Sequence, residues 1–134
     1  MRSPNNDNNR TDMKSEKVFE TLKIEQSGGI KRIMLNRPEN NNALSPKLMR
    51  ELAVAVGDSA EDDQARVIVI SGQGKAFSAG GDMEEELVPV AKMDFFRWYA
   101  YQEETFKFIQ AITGTPKPII AAVNGVAVGG GCDL

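Results

Sequence analysis

Two glycine-rich segments carry the residues of this sequence that could do chemistry. The first is KAFSAGGDM at positions 75–83, and the second is NGVAVGGGCD at positions 124–133. Each follows a short apolar run and precedes a predicted helix start. Glycines let a backbone approach a ligand closely, and the free N–H groups at a helix start attract negative charge. Two such loops can direct two N–H donors at one oxygen, which is the arrangement of an oxyanion hole.

Other interpretations of these segments fit less well. Each loop alone could simply turn the chain after a strand. The segment GQGK at 72–75 lacks the earlier glycine of a phosphate-binding P-loop, where Val69 stands, and the Ser or Thr after its lysine. A dinucleotide pattern from Gly129 fails because Leu134 occupies its third glycine position. Ser78 lies outside a GxSxG motif, so we do not expect a serine nucleophile.

The absence of histidine restricts the chemistry further. The 134 residues include no His and a single Cys, and the formal net charge is -3. A chain without imidazole has no His-based triad, His general base or HExxH zinc site, so acid–base work falls to carboxylates, Lys or Tyr. Cys132 can form neither an internal disulfide nor a CxxC site, which favours a reducing compartment. We expect Cys132 to be a small packed residue and not a nucleophile. The acidic balance argues against nucleic acid as a partner.

The distribution of apolar residues predicts two regions. Residues 1–17 are polar and rich in Asn, and we expect a flexible tail because such a segment cannot offset the entropy of ordering. Residues 18–134 have the apolar content of a globular domain. Every uninterrupted apolar run is far shorter than the roughly 20 residues of a membrane helix, so no membrane partner is expected. The polar start does not resemble a secretion signal, and the predicted location is the cytoplasm.

Local signals predict a hairpin and a helix in the first half of the domain. The run from Val18 to Leu35 contains a central Gly-Gly pair between apolar segments, which is typical of a hairpin. Ser45 followed by proline predicts a helix start. The apolar face of this helix is expected to end before Gly57, with an acidic loop at 61–63.

Three later apolar segments complete the predicted core. The segment Arg66–Ser71 has the β-branched composition of a strand buried on both faces. A helix is predicted from about Met93 to Ile112, and Ile119–Val123 predicts another buried strand. The buried stripe of this helix is expected to consist of Phe95, Tyr99, Phe106 and Ile109. Strands alternating with helices indicate an α/β fold with parallel pairing.

Three groups of residues match, in order and spacing, the motifs of a known protein family. They are LNRP and NAL within 35–44, AFSAGGD at 76–82, and KPIIAAVNG followed by GGGCDL within 117–134. With these motifs, the chain from about Val18 to Leu134 resembles the N-terminal part of the enoyl-CoA hydratase/isomerase (crotonase) family. The resemblance implies an α/β spiral of repeated ββα units, truncated before the C-terminal helical region. It also implies an acyl-CoA thioester substrate, an enolate intermediate, no metal or redox cofactor, and a homotrimer or hexamer in the full-length form.

The resemblance assigns roles to individual residues. The amides of Gly81 and Gly130 would be the two oxyanion donors, and Asp133 stands where hydratases of the family carry one of two catalytic Glu residues. Asp occurs at that position in some isomerases, whereas the second hydratase carboxylate would lie beyond Leu134. The expected catalytic residues are therefore Gly81, Gly130 and Asp133. The expected contacts to the coenzyme A thioester are Ala43, Leu44, Ala79, Gly80, Gly81, Asp82, Met83 and Gly130.

Some residues depart from the family pattern or allow other interpretations. Glu84–Glu86 stand where the family often has Lys, and three consecutive carboxylates are typical of a solvated helix start, with Asp82 capping or bracing the loop before them. Isolated cations could meet coenzyme A phosphates or be ordinary surface residues. They are Lys31, Arg32, Arg37 and Lys75. Two other functions stay open, namely a truncated, non-catalytic remnant or binding module of this family and a nucleotide-binding α/β domain.

Overall fold

A computed structural model describes residues 18–134, so the predicted tail at 1–17 lies outside the described residues. Strands and helices alternate along this range. In chain order they are β1 (Leu22–Ser27), β2 (Ile30–Leu35), α1 (Pro46–Glu61), β3 (Val67–Gly72), β4 (Ala76–Ser78), α2 (Val88–Val90), α3 (Phe95–Thr113), β5 (Ile119–Ala122), β6 (Val126–Ala127) and α4 (Gly130–Asp133). A 3-10 turn at Pro38–Asn40 follows β2, and a π-helical turn at Met83–Leu87 precedes α2.

The strands form two separate sheets, and successive segments of the chain contribute strands to both. The larger sheet has the order β1-β2-β3-β5, and the smaller sheet pairs β4 with β6. β1 and β2 are antiparallel and form the predicted hairpin, whereas β2 with β3, β3 with β5 and β4 with β6 are parallel pairs. Because β3 leads into β4 and β5 into β6, each of these passes adds one strand to each sheet. The predicted α/β class with parallel pairing is confirmed.

The hydrophobic core is formed by α1, the larger sheet and α3. The predicted start of α1 is confirmed, because the Oγ of Ser45 accepts a hydrogen bond from the Leu48 amide at 3.2 Å. The predicted apolar face of α1 supplies much of the core. The buried cluster consists of Leu22, Ile33, Leu35, Leu44, Leu48, Met49, Leu52, Ala55, Val56, Ile68, Ile70, Phe77 and Phe108.

Helix α1 ends later than the sequence predicts. Its buried apolar residues end at Val56, as predicted, but the helix itself continues past Gly57 to Glu61, so the predicted acidic loop begins at Asp62 and not at Glu61. A glycine within a helix costs only about 1 kcal/mol, and the contacts of the following turn offset that cost. Ser59 in this turn is fully buried, and the Nζ of Lys117 donates to the carbonyl oxygens of Ser59 and Asp62 at the helix end.

The predicted buried stripe of α3 is wrong, although the helix itself is confirmed. Phe95 is 68% exposed and Phe106 is 60% exposed, and Tyr99 and Ile109 of the same stripe are also exposed. The helix instead packs on the core through Phe108. The reason is that α3 carries apolar residues around much of its circumference, and the described chain covers only the face toward α1.

The two predicted buried strands are also less covered than expected. Along β3, alternate residues are fully buried and partly exposed, so one face of the strand is closed and the other is half open. β5 lies at the edge of the larger sheet, and Ile120 on this strand is 53% exposed. An apolar composition therefore identified both strands correctly, but it did not determine how many of their faces are covered in the described residues.

Candidate active site

The two glycine loops meet at the ends of paired strands. β4 and β6 are parallel neighbours, and parallel strands bring their carboxyl ends to the same edge of a sheet. Beyond this edge, the Val128 amide donates to the carbonyl oxygen of Ser78 at 3.1 Å. Gly80 has a φ of +83°, and a Cβ added there would lie 2.5 Å from the Val128 carbonyl oxygen and 3.4 Å from the Gly130 nitrogen. The first loop therefore contacts the second at Gly80, next to the predicted donor Gly81, and at Val128, two residues before the predicted donor Gly130.

The two predicted donor amides, those of Gly81 and Gly130, take no part in hydrogen bonding within the described residues. Gly81 forms a parallel bridge with Leu44, in which the Leu44 amide donates to the Gly80 carbonyl at 2.7 Å and the Asp82 amide donates to the Leu44 carbonyl at 3.2 Å. This pattern uses the groups on either side of Gly81 and leaves its own N–H unused. Among residues 18–134, neither the Gly81 amide nor the Gly130 amide donates to a protein acceptor.

Leu44 lies against both loops. Besides its bridge to Gly81, its Cδ1 would lie 3.0 Å from a Cβ added to Gly130. Leu44 and Ala43 are buried, and Ala79 is fixed by a hydrogen bond from its amide to the Asn41 carbonyl at 3.0 Å. The structure thus brings together most of the residues predicted from the sequence. They are Ala43, Leu44, Ala79, Gly80, Gly81, Asp82 and Gly130.

Two predicted site residues are placed less firmly. Met83 is 63% exposed in the first turn after Asp82. Asp133 lies on the single turn of α4, is exposed, and bonds through its amide to the Gly129 carbonyl at 3.3 Å. The catalytic role of Asp133 stays a prediction.

A buried ion pair between Arg37 and Asp82 holds the Gly81 loop in place. Nη1 of Arg37 lies 2.8 Å from Oδ2 of Asp82 and donates to the Ala43 carbonyl at 2.7 Å, while Nη2 lies 2.8 Å from Oε1 of Glu85. Arg37 is 8% exposed and Asp82 is 4% exposed. The interpretation of Arg37 as a contact to coenzyme A phosphates is wrong, because its guanidinium is buried among these partners. Arg37 therefore connects the residue before Leu44 to the turn that follows Gly81.

Asp82 braces the loop, as the sequence predicts. Its Oδ1 accepts hydrogen bonds from the amides of Glu84 at 3.1 Å and Glu85 at 2.9 Å, and so caps the π-helical turn. Burial alone would raise the pKa of Asp82, but the hydrogen bonds from the Glu85 amide and the Arg37 guanidinium outweigh burial and hold the pKa below its usual range. Asp82 is therefore a charged structural group at neutral pH and not a proton donor.

Asn42 supports the site, a role that the sequence analysis did not assign to it. It is fully buried with a φ of +54°, and its Oδ1 accepts from the Arg37 amide at 2.9 Å. Its Nδ2 donates to the carbonyls of Gln73 at 3.0 Å and Ala76 at 2.9 Å, and its own carbonyl accepts from the Ser78 hydroxyl at 2.8 Å. Asparagine tolerates positive φ better than most residues, so the run of Asn after Pro38 was the available signal.

The prediction that Glu84–Glu86 begin a helical turn is confirmed, but their side chains are not simply solvated. Glu85 binds Arg37, and Glu86 accepts hydrogen bonds from the Tyr101 hydroxyl and from the Asp82 amide. Only Glu84 of the three uses its side chain for no contact within the described residues. Two of the three carboxylates therefore hold the loop in place.

The remaining cations and Cys132 lie on the surface. Lys31 bonds to Gln26 and Asp62, away from the glycine loops, and Arg32 and Lys75 are exposed. A contact of these cations with coenzyme A phosphates stays a prediction. Cys132 is exposed, so its interpretation as a packed residue is wrong.

The helices of the described region do not reach the length and apolar character that crossing a bilayer requires. The cellular compartment stays a prediction.

Comparison with known proteins identifies the family. The sequence profile of the enoyl-CoA hydratase/isomerase family matches residues 25–134. The chain belongs to this family. A probable mitochondrial enoyl-CoA hydratase of Dictyostelium discoideum is 42% identical over 118 residues, which cover 88% of this chain and 40% of that protein. A mitochondrial Delta(3,5)-Delta(2,4)-dienoyl-CoA isomerase of Mus musculus is 38% identical over 112 residues, which cover 76% of this chain and 33% of that protein.

Solved structures of enoyl-CoA hydratases share the fold. An enoyl-CoA hydratase/isomerase from Xanthobacter autotrophicus Py2 superposes with a TM-score of 0.80 at 29% identity, over 87% of this chain and 43% of that one. An enoyl-CoA hydratase from Shewanella pealeana superposes with a TM-score of 0.79 at 28% identity, over 84% and 42%. The predicted crotonase-like fold is confirmed. The chain spans less than half the length of each of these relatives.

Proposed function

We propose that this chain is part of an enzyme that processes acyl-CoA thioesters through an enolate. In this proposal the amides of Gly81 and Gly130 donate hydrogen bonds to the thioester oxygen. Negative charge grows on that oxygen when a proton leaves C2 or when a nucleophile adds to C3 of an unsaturated acyl group. Preorganised donors at such an oxygen stabilise the transition state more than the ground state, and one donor is worth roughly 3–4 kcal/mol of barrier.

One observation supports this proposal above the others. Two amides without a protein acceptor lie on loops that touch, with the Gly80 Cβ position 3.4 Å from the Gly130 nitrogen. Leu44 pairs with Gly81 through its backbone, and its side chain lies against Gly130 and supplies an apolar surface there. An apolar side chain beside a donor lowers the local dielectric constant and strengthens the interaction of the donor with a developing charge.

Proton transfer needs a group besides the two amides. With no imidazole in the sequence, we assign this work to carboxylates, with Asp133 as the candidate in this chain. The related proteins include hydratases and a dienoyl-CoA isomerase, so the proposed reaction class is that of a lyase or an isomerase. The proposed chemistry needs neither a metal nor a redox cofactor, since coenzyme A is part of the substrate.

A pair of variants at Gly130 tests the proposal. Gly130 is the first residue of α4, a position where proline is tolerated, so Gly130→Pro removes the amide proton with little disturbance of the backbone. Gly130→Ala is the matched control, because it keeps the amide and adds the same Cβ against Leu44. In the natural full-length protein we expect Gly130→Pro to lower kcat for enoyl-CoA turnover by roughly 100-fold to 1,000-fold relative to Gly130→Ala. Equal kcat values for the two variants would reject the mechanism.

The assembly and location of the full-length form are further parts of the proposal. We expect a homotrimer or hexamer from the resemblance stated above, and we keep the cytoplasmic location that the sequence analysis predicts. Light scattering after size-exclusion chromatography measures the mass of the natural protein. A stable monomer would contradict the expected assembly.

A further inference from the structure

The carboxylate of Glu86 connects the Gly81 loop to helix α3 by hydrogen bonds. Oε2 of Glu86 accepts a hydrogen bond from the Asp82 amide at 3.2 Å, and Oε1 accepts one from the Tyr101 hydroxyl. The Asp82 amide also bonds to the Leu44 carbonyl, so Glu86 shares the N–H that directly follows Gly81. We propose that Glu86 and Tyr101 are positioning residues that fix the Gly81 amide for the charge that develops on the thioester oxygen. This inference rests on the proposed function.

Glu86 also lies against Gly81 itself. A Cβ added to Gly81 would lie 2.8 Å from Oε2 of Glu86 and 3.2 Å from Cδ2 of Leu87. The π-helical turn produces this contact, because the Asp82 carbonyl accepts both the Glu86 amide at 3.0 Å and the Leu87 amide at 2.9 Å. Gly81 therefore cannot move toward this turn without displacing Glu86 or Leu87. Glu86 limits the position of the proposed donor.

Tyr101 supplies the outer hydrogen bond of this arrangement. It lies partly buried on α3, and burial raises the pKa of Tyr101, with the bond to Glu86 raising it further, so the hydroxyl stays a donor at physiological pH. Tyr99 on the same helix is 55% exposed, and its hydroxyl bonds to no acceptor among the described residues. Helix α3 thus provides a tyrosine that is coupled to the loop and a nearby tyrosine that is not.

The expected effect is on rate more than on binding. A donor of an oxyanion hole works because it is fixed before charge develops, and a small displacement of a reacting geometry lowers the rate strongly. Without the Tyr101 hydroxyl, the Glu86 side chain is held at one end only, and the Gly81 amide gains freedom. For Tyr101→Phe we expect kcat to fall about tenfold while KM changes less than about twofold.

The experiment uses the natural full-length protein and two readouts. The first is steady-state turnover of an enoyl-CoA, and the second is the ultraviolet absorbance of a 3-ketoacyl-CoA, which reports the fraction bound as enolate. Tyr101→Phe and Glu86→Gln should lower kcat and the enolate absorbance, since glutamine offers one acceptor oxygen where Glu86 uses two. The matched controls Tyr99→Phe and Glu84→Gln should leave both readouts unchanged.

A double variant tests whether Tyr101 acts through Glu86. If it does, Tyr101→Phe combined with Glu86→Gln should lower kcat no more than Glu86→Gln alone. Losses of kcat that add up in the double variant would show that Tyr101 does not act through Glu86, and they would overturn the inference. Glu86→Gln also provides an independent measurement should Tyr101→Phe fail to fold.

Two further results would overturn the inference. One is an equal kcat for Tyr101→Phe and Tyr99→Phe. The other is a lower melting temperature for Tyr101→Phe with unchanged kcat and enolate absorbance, because a merely structural bond gives that result. If the unaltered protein neither binds nor converts an acyl-CoA, the proposed function itself fails, and this outcome is recognised before any variant is compared.

Discussion

Replacing Gly80 with alanine tests the contact between the two glycine loops. Gly80 has a φ of +83°, and an added Cβ would lie 2.5 Å from the Val128 carbonyl oxygen. The left-handed backbone costs a residue with a side chain about 1–2 kcal/mol. Overpacking costs about 1–3 kcal/mol more, because a backbone carbonyl cannot rotate away as a flexible side chain can. We expect Gly80→Ala to lower the free energy of unfolding by about 2–5 kcal/mol in total.

Gly28 provides the matched control for this prediction. It has a φ of +58°, and a Cβ added there would have nothing within 4 Å. Gly28→Ala should therefore cost only the backbone part, about 1–2 kcal/mol. Urea denaturation followed by circular dichroism measures both free energies, and their difference should be about 1–3 kcal/mol. Equal losses in the two variants would show that the loops do not meet at Gly80 and would refute the site geometry.

Three other changes test the support of the site and the core. The folded pKa of Asp82 lies below its unfolded value, so its contribution to stability is complete above about pH 4 and is lost as the pH falls through the folded pKa. The melting temperature should fall on acidification, and it should fall less steeply in Asp82→Asn; parallel curves would contradict this. Lys117→Met should cost about 2 kcal/mol, because it removes charged hydrogen bonds to the Ser59 and Asp62 carbonyls. Ser45→Ala removes the cap of α1 and should cost about 1 kcal/mol. Urea denaturation checks both values, and no change in stability would show that these bonds are absent in solution.

Local signals predicted much of the fold correctly. The hairpin follows from a Gly-Gly pair between apolar segments, and the start of α1 follows from Ser45 and the proline after it. These features depend on neighbouring residues, so a single sequence contains the information needed to find them. The order of the glycine loops after their strands is local in the same sense, and it led to the residues that the structure brings together.

Long-range contacts account for what the sequence analysis missed. Arg37 and Asp82 are separated by 45 positions, and nothing in either neighbourhood identifies the partner. The bond between Tyr101 and Glu86 depends on how α3 crosses the π-helical turn, which no periodicity specifies. The exposed stripe of α3, which includes Phe95, has the same origin, because an apolar pattern does not say which face another element covers.

The most direct test of the account is an experimental structure of the full-length protein with an acyl-CoA bound. The measurement is the distance from the thioester oxygen to the amide nitrogens of Gly81 and Gly130. The account predicts that both nitrogens lie within about 3.2 Å of that oxygen. A thioester oxygen bound by other groups, with either nitrogen more than about 4 Å away, would contradict it.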